Sequence, residues 1–154
     1  MFVMRASRWL AALRHYRPDI AQATEAAWAG RKSDGTFVRP DKAVFAANMW
    51  ISAFSAASVE KLAKYSAMPF LAGTQPAALN RAELSEMYSG LLVESGALKE
   101  WKLLTAQEYL GSGGAALKLE DTDVVLVVRA ASERFAIVLR RAAGGDYRAT
   151  VLIR

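Results

Sequence analysis

A chain of 154 residues is the length of one domain and can bury a core without disulfides or a structural metal. Apolar residues make up 53% and charged residues 23% of the chain, a globular rather than a disordered composition. The lack of cysteine excludes a disulfide framework and a thiolate metal site, and a single histidine, His15, argues against a histidine-rich one. We therefore expect neither a metal nor a cofactor.

The net charge of +5 is concentrated near the start of the chain. Residues 1–40 hold seven Lys/Arg against three Asp/Glu (+4), and residues 41–154 hold thirteen against twelve (+1). A nucleic-acid-binding protein would more often carry a basic stripe across its folded body, so nucleic acid is not an expected partner. The pattern predicts a basic helical arm over residues 1–40 and a folded domain over residues 41–154.

The arm begins with an amphipathic pattern over residues 1–16, in which apolar side chains recur at helical spacing among arginines. Pro18 separates this helix from a second, alanine-rich one over residues 18–29, which Gly30 should end. The first helix could pack on the domain, lie on a membrane surface or act as a targeting segment. The chain has no apolar run of the roughly 20 residues that a membrane-spanning helix needs, so a cytoplasmic location is expected.

Helical spacing continues from residue 41 to about Gly96. Asp41 is a suitable N-cap for a helix with an apolar stripe, Ser58 starts a shorter one, and Asn80 with Glu83 has the spacing of a capping box. Between the last two helices lies a short apolar segment, residues 68–71, which ends at Gly73.

Beyond Gly96 the apolar residues alternate with a period of two, which is typical of strands. Strands are predicted over residues 101–110, 115–120, 123–130, 135–140 and 147–153, with a glycine turn at 111–114. A hairpin turn at 144–146 should tolerate a positive φ angle. Short turns force antiparallel neighbours, so the sequence predicts an α+β fold: N-terminal helices packed on a C-terminal, curved, cone-like antiparallel β-meander.

Two parts of this pattern resemble the nuclear-transport-factor-2-like (SnoaL-like) superfamily. Residues 54–65 (FSAASVEKLAKY), followed by residues 68–71 (MPFL), are similar to its first two helices and a short strand. Residues 80–84 (NRAEL) are similar to the start of its third helix, ahead of a sheet that ends in residues 145–148 (GDYR). The resemblance implies a conical sheet with a cavity between sheet and helices, and pairing of two subunits through their sheets.

A second resemblance covers residues 1–47 and concerns bacterial mannose-1-phosphate guanylyltransferases. It is carried by residues 1–6 (MFVMRA), 17–20 (RPDI) and 37–41 (FVRPD). The glycine-rich nucleotide loop of those enzymes is missing, and residues 51–55 (ISAFS) lack the acid expected there. Sugar-nucleotide chemistry is thus a remote alternative.

The predicted cavity is mostly apolar and aromatic, which suits a hydrophobic ligand. Its candidate lining residues are Trp50, Phe54, Tyr65, Phe70, Tyr88, Trp101 and Tyr109, together with Glu108. On a strand, Glu108 and Tyr109 would point to opposite faces, so only one could face the cavity.

The main hypothesis is a domain without assignable catalysis that binds a hydrophobic small molecule or a protein partner. The alternative is a small cyclase, isomerase or dehydratase that uses a cavity tyrosine or carboxylate.

The strands at residues 123–130 and 135–140 are apolar on both faces, so both faces of the sheet need a cover. The helices can cover one face. Either the arm or a second subunit should cover the other, and we therefore expect a homodimer formed through the sheet.

Overall fold

A computed structural model describes residues 6–33, 38–39, 41–113 and 117–154. Its helices are α1 (Ala6–Tyr16), α2 (Pro18–Ala29), α3 (Lys42–Ser55), α4 (Val59–Lys64), α5 (Arg81–Ser95) and α6 (Ala106–Gly111). Its strands are β1 (Lys32–Ser33), β2 (Val38–Arg39), β3 (Ser66–Ala72), β4 (Gln75–Ala78), β5 (Leu98–Thr105), β6 (Val124–Ala130), β7 (Arg134–Arg141) and β8 (Tyr147–Ile153).

The predicted helix starts are confirmed at α3 and α5. The Asp41 side chain accepts hydrogen bonds from the backbone N–H groups of Ala43 and Val44, and Asn80 does the same for the first turn of α5. These side chains satisfy donors that a helix start leaves unpaired. Pro18 opens α2 and Gly96 ends α5, as the sequence predicted.

The main sheet has six strands in the order β4-β3-β8-β7-β6-β5 and is curved. Strands β5 to β8 form the predicted antiparallel meander. Strand β3 pairs with β8 in parallel and carries β4 at its other edge. The predicted α+β fold is confirmed, but the sheet is mixed rather than wholly antiparallel because the strand after α4 joins it beside β8.

The prediction of a strand over residues 101–110 was wrong at its second half. Strand β5 ends at Thr105, which is the N-cap of α6. Thr105 and Glu108 form a capping box, in which each side chain bonds the other residue's backbone N–H group. This local pairing outweighs the alternating apolar pattern.

Two further expectations differ from the structure. Of the strand predicted over residues 115–120, residues 117–120 are not a strand, and residues 115 and 116 lie outside the described residues. The arm, predicted to be helical, also contains the antiparallel pair β1 and β2. The hairpin turn is as predicted, with Gly145 at φ 80°.

The sheet has an apolar core on each face. The larger core lies between the sheet and α3, α4 and α5 and contains Trp50, Leu126 and Ile137. The opposite face, here called the outer face, buries Val125 and Val138 under Tyr109 of α6 and under residues 117–120. Much of the predicted cover for the second face therefore comes from the chain's own β5–β6 connection, not from the arm.

The two helices of the arm differ in how they contact the rest of the chain. Helix α2 packs along α3 and buries Ala21, Ala23 and Ala27. Helix α1 packs on α2 but has no buried residue, and its Trp9 is 53% exposed. None of the helices in the described part of the chain is long and apolar enough to cross a membrane.

Candidate ligand-binding groove

The space between helices and sheet is filled by aromatic side chains. Trp50 of α3 stacks on Phe54 with ring centroids 5.5 Å apart and contacts the rings of Tyr88 and Phe135. Phe70 meets Tyr88 edge-on at 5.6 Å. All five are at most 3% exposed. Four of the expected lining residues, Trp50, Phe54, Phe70 and Tyr88, thus lie together as packed core.

The Tyr88 hydroxyl is satisfied inside this core. The Ser66 hydroxyl donates to the carbonyl oxygen of Leu62 at 2.8 Å, so Tyr88 must donate to the Ser66 oxygen, 2.6 Å away. The Trp50 indole N–H donates to the Tyr88 oxygen at 3.5 Å. The hydroxyl has no spare proton for a substrate.

Burial raises the pKa of Tyr88 to about 12, and this shift predicts a loss of stability in alkali. Between pH about 10 and about 12 the unfolded chain loses this proton and the folded chain keeps it, so the free energy of unfolding falls as pH rises. We expect Tyr88 to account for about 2–3 kcal/mol of that fall. Urea titrations across this range should show a shallower decline for Tyr88→Phe; parallel curves for the two proteins would contradict the assignment.

Trp101, Tyr109 and Glu108 do not belong to this aromatic cluster. Trp101 of β5 is partly buried against the larger core, and Tyr109 of α6 packs on the outer face. Glu108 is exposed in its capping box, where the Thr105 N–H and hydroxyl lower its pKa. Glu108 is therefore held as a carboxylate at a helix start, and not as a proton-accepting base in an apolar cavity.

Among the described residues, the aromatic interior contains no carboxylate. The one buried carboxylate of the described residues, Asp123, accepts two hydrogen bonds from the Arg140 guanidinium, at 3.0 and 2.8 Å. It also accepts the Glu120 backbone N–H at 3.0 Å. These contacts use Asp123 as a structural partner at the start of β6.

An open groove of about 440 Å³ lies on the other side of α3. Its walls come from α2, the first half of α3, the end of α4 and the start of β8. Its apolar and aromatic lining residues are Ala27, Trp28, Phe45, Ala46, Met49, Tyr65 and Tyr147. Trp28 is 50% and Phe45 37% exposed. This volume is in the range of small-molecule sites, and the apolar walls suit a hydrophobic body.

Charged groups border the groove. Lys42, Lys64 and Arg148 are cationic, and Asp41 and Asp146 are anionic. Asp41 caps α3, and Asp146 forms an ion pair with Lys42, with Oδ1 and Nζ 3.2 Å apart. Both carboxylates thus have partners, whereas Lys64 and Arg148 have no carboxylate within 4 Å among the described residues.

Tyr65 is the one predicted site residue that lines this groove. It is the C-cap of α4, and burial raises the pKa of its phenol, so the hydroxyl is protonated at neutral pH. Sequence reasoning did not assign Trp28, Phe45 and Tyr147 to the same site. The signal was present in part: Phe45 and Met49 are four residues apart and so share one face of α3. The second wall of the groove comes from α2, which the sequence analysis placed in the arm and not in the domain.

The groove combines exposed aromatic rings, a phenol donor and two cations that have no acidic partner among the described residues. In the part of the chain that the structure describes, no three His, Cys, Asp or Glu residues cluster closely enough to hold a metal ion.

Comparison with known proteins gives one sequence relative over part of the chain. No family model matches the sequence. The chain is 44% identical over 73 residues to the xanthan biosynthesis protein XanB of two Xanthomonas campestris pv. campestris strains. The match covers 47% of this chain and spans only 15% of the XanB length.

Three solved structures are similar to the chain at low sequence identity and with TM-scores below 0.5. A chain described as a calcium/calmodulin-dependent protein kinase type II association domain, from Thiobacillus denitrificans, is 16% identical, with a TM-score of 0.42 over 71% of this chain and 90% of its own. A ketosteroid isomerase-like protein from Erwinia carotovora atroseptica is 15% identical, with a TM-score of 0.41 over 70% and 88%. A second association-domain chain, from Xanthomonas campestris, is 11% identical, with a TM-score of 0.42 over 80% and 91%. These neighbours are nuclear-transport-factor-2-like cone folds.

Proposed function

We propose that the chain is a binding domain and that the groove between α2, α3 and the start of β8 is its site for a hydrophobic small molecule. The observation that carries the proposal is the pair of exposed aromatic side chains, Trp28 of α2 and Phe45 of α3, that line a 440 Å³ groove. Leaving such rings in water costs free energy that a bound apolar body recovers. The filled aromatic interior on the other side of α3 supports placing the ligand here.

A neutral fluorescent naphthalene, N-phenyl-1-naphthylamine, tests the groove directly. We expect saturable binding to the full chain and a loss of affinity of about tenfold in Phe45→Ala, because the variant removes one aromatic wall. Val93→Ala is the matched control, since Val93 is 85% exposed on α5 and does not line the groove. Equal affinities of the two variants would place the probe elsewhere and remove the proposal.

We also propose that two chains pair through the sheet. The uncovered part of the outer face is smaller than the sequence indicated. Helix α6 and residues 117–120 cover part of the outer face, and the open part carries Lys102, Arg129 and Arg134 around Val127. A partner would therefore meet a charged border and not an apolar plane. Light scattering at micromolar concentration tests it; a strict monomer would end the proposal.

A role in polysaccharide biosynthesis is a further candidate, supported by the 44% identity to a segment of XanB. The resemblance of residues 1–47 to mannose-1-phosphate guanylyltransferases supplies one reaction to test. The direct test is formation of GDP-mannose from GTP and mannose 1-phosphate by the purified chain. A rate equal to that of a buffer control would contradict this candidate function.

A further inference from the structure

We infer that the ligand of the groove is an amphipathic monoanion, an apolar body carrying one oxyanion such as a carboxylate, bound with that group against Arg148 and Lys64. This inference rests on the proposed binding function of the groove. It adds the chemical class of the ligand and the residues that would recognise it.

The groove lining carries a net positive charge. Three cationic side chains and two carboxylates give a net charge of +1. The carboxylates are already used, because Asp41 accepts two backbone N–H groups at the start of α3 and Asp146 pairs with Lys42. The unbalanced positive charge therefore belongs to Lys64 and Arg148.

The Arg148 guanidinium is held by a backbone carbonyl group at the end of α4. Arg148 is partly buried at the start of β8, and one guanidinium nitrogen, Nη1, donates to the carbonyl oxygen of Lys64. A guanidinium has five N–H donors in a fixed plane, so this bond orients the group and leaves other donors available. No described carboxylate lies within 4 Å of it. An oriented, partly desolvated arginine without an acidic partner is suited to bind an oxyanion.

The Tyr65 phenol and the apolar walls line the same groove as these cations. Tyr65 follows Lys64 in sequence, lines the same groove, and its hydroxyl has no hydrogen-bond partner among the described residues. The hydroxyl can donate to a second oxygen of the same anion. Trp28, Phe45 and Met49 line the same groove. The groove thus offers cations and a donor beside an apolar wall, which matches a molecule with one anionic end.

Two probes with the same aromatic body separate this inference from the proposed function. 8-Anilinonaphthalene-1-sulfonate carries one sulfonate, and N-phenyl-1-naphthylamine carries none. We expect the anionic probe to bind the full chain at least tenfold more tightly, because charge-assisted hydrogen bonds are stronger than neutral ones. Added salt should weaken the anionic probe and leave the neutral one almost unchanged.

Substitutions then locate the anion. Arg148→Met should reduce the affinity for the sulfonate about tenfold while the neutral probe binds as before. Lys64→Met removes a charge without touching the backbone carbonyl that holds Arg148, so it should weaken the sulfonate by a smaller factor. Arg129→Met is the matched control, because Arg129 pairs with Glu100 on the outer face and does not line the groove.

The possible outcomes are distinct. Equal affinity of the two probes, or a sulfonate preference that survives Arg148→Met and Lys64→Met, would overturn the inference and leave the binding function in place. Failure of both probes to bind would overturn the binding function itself. If Arg148→Met does not fold by circular dichroism, the result with Lys64→Met decides the inference alone.

Discussion

Trp50→Ala should lower the free energy of unfolding by about 3–5 kcal/mol, the range for deleting a large aromatic side chain from a packed core. Trp50 is 0% exposed and contacts the rings of Phe54, Tyr88 and Phe135, so its removal leaves a cavity at the centre of the aromatic cluster. The change also removes the N–H donor to the Tyr88 hydroxyl. Because a domain of this size is stabilised by only about 5–15 kcal/mol, a large part of its stability should be lost.

Trp9→Ala is the matched control for this prediction. Trp9 is 53% exposed on α1, a helix that buries no residue, so the substitution should change the free energy of unfolding by no more than about 0.5 kcal/mol. Urea unfolding followed by far-ultraviolet circular dichroism gives both values without depending on tryptophan fluorescence. Similar midpoints for the two variants would mean that the aromatic cluster is not the centre of the core.

The fold was predictable where local chemistry and hydrophobic period agree. Asp41 and Asn80 are N-caps followed by helical stripes, and strands β6 to β8 are mostly apolar segments separated by short turns, so each segment had one consistent interpretation. The prediction failed at residues 106–111, where the Thr105–Glu108 capping box starts a helix inside an alternating pattern. A pattern of five or six residues fits either period, and only the capping interaction distinguishes them.

The candidate site was less predictable than the fold because it depends on which side chains meet across elements. Trp50, Phe54, Phe70 and Tyr88 have the composition of a cavity lining, but aromatic side chains with these spacings pack on each other as readily as on a ligand. Period alone does not say which aromatic residues remain exposed. Trp28 and Phe45 line an open groove because α2 covers only part of α3, which is a matter of tertiary packing.

The pair formed by Asp123 and Arg140 provides the second large expected effect. The Asp123 side chain is fully buried, whereas that of Arg140 is 33% exposed. Water can therefore still solvate the guanidinium if the pair is broken, but it cannot reach the carboxylate. When the partner of a buried charge is removed, the remaining charge is neither solvated nor paired. Arg140→Met, which keeps most of the apolar stem, should therefore lower the free energy of unfolding by about 3 kcal/mol.

Arg129→Met isolates this effect from the general loss of a strand arginine. Arg129 pairs with Glu100 at 3.1 Å, but both side chains are more than 60% exposed, so this substitution should cost at most about 1 kcal/mol. Adding Asp123→Ala to Arg140→Met removes the buried carboxylate that has lost its arginine partner. The double variant should therefore be more stable than Arg140→Met alone. Chemical unfolding of the four proteins measures these differences. If the two arginine variants lose equal stability, the carboxylate must reach water through motion of residues 117–123, and the start of β6 would be less tightly closed than its burial indicates.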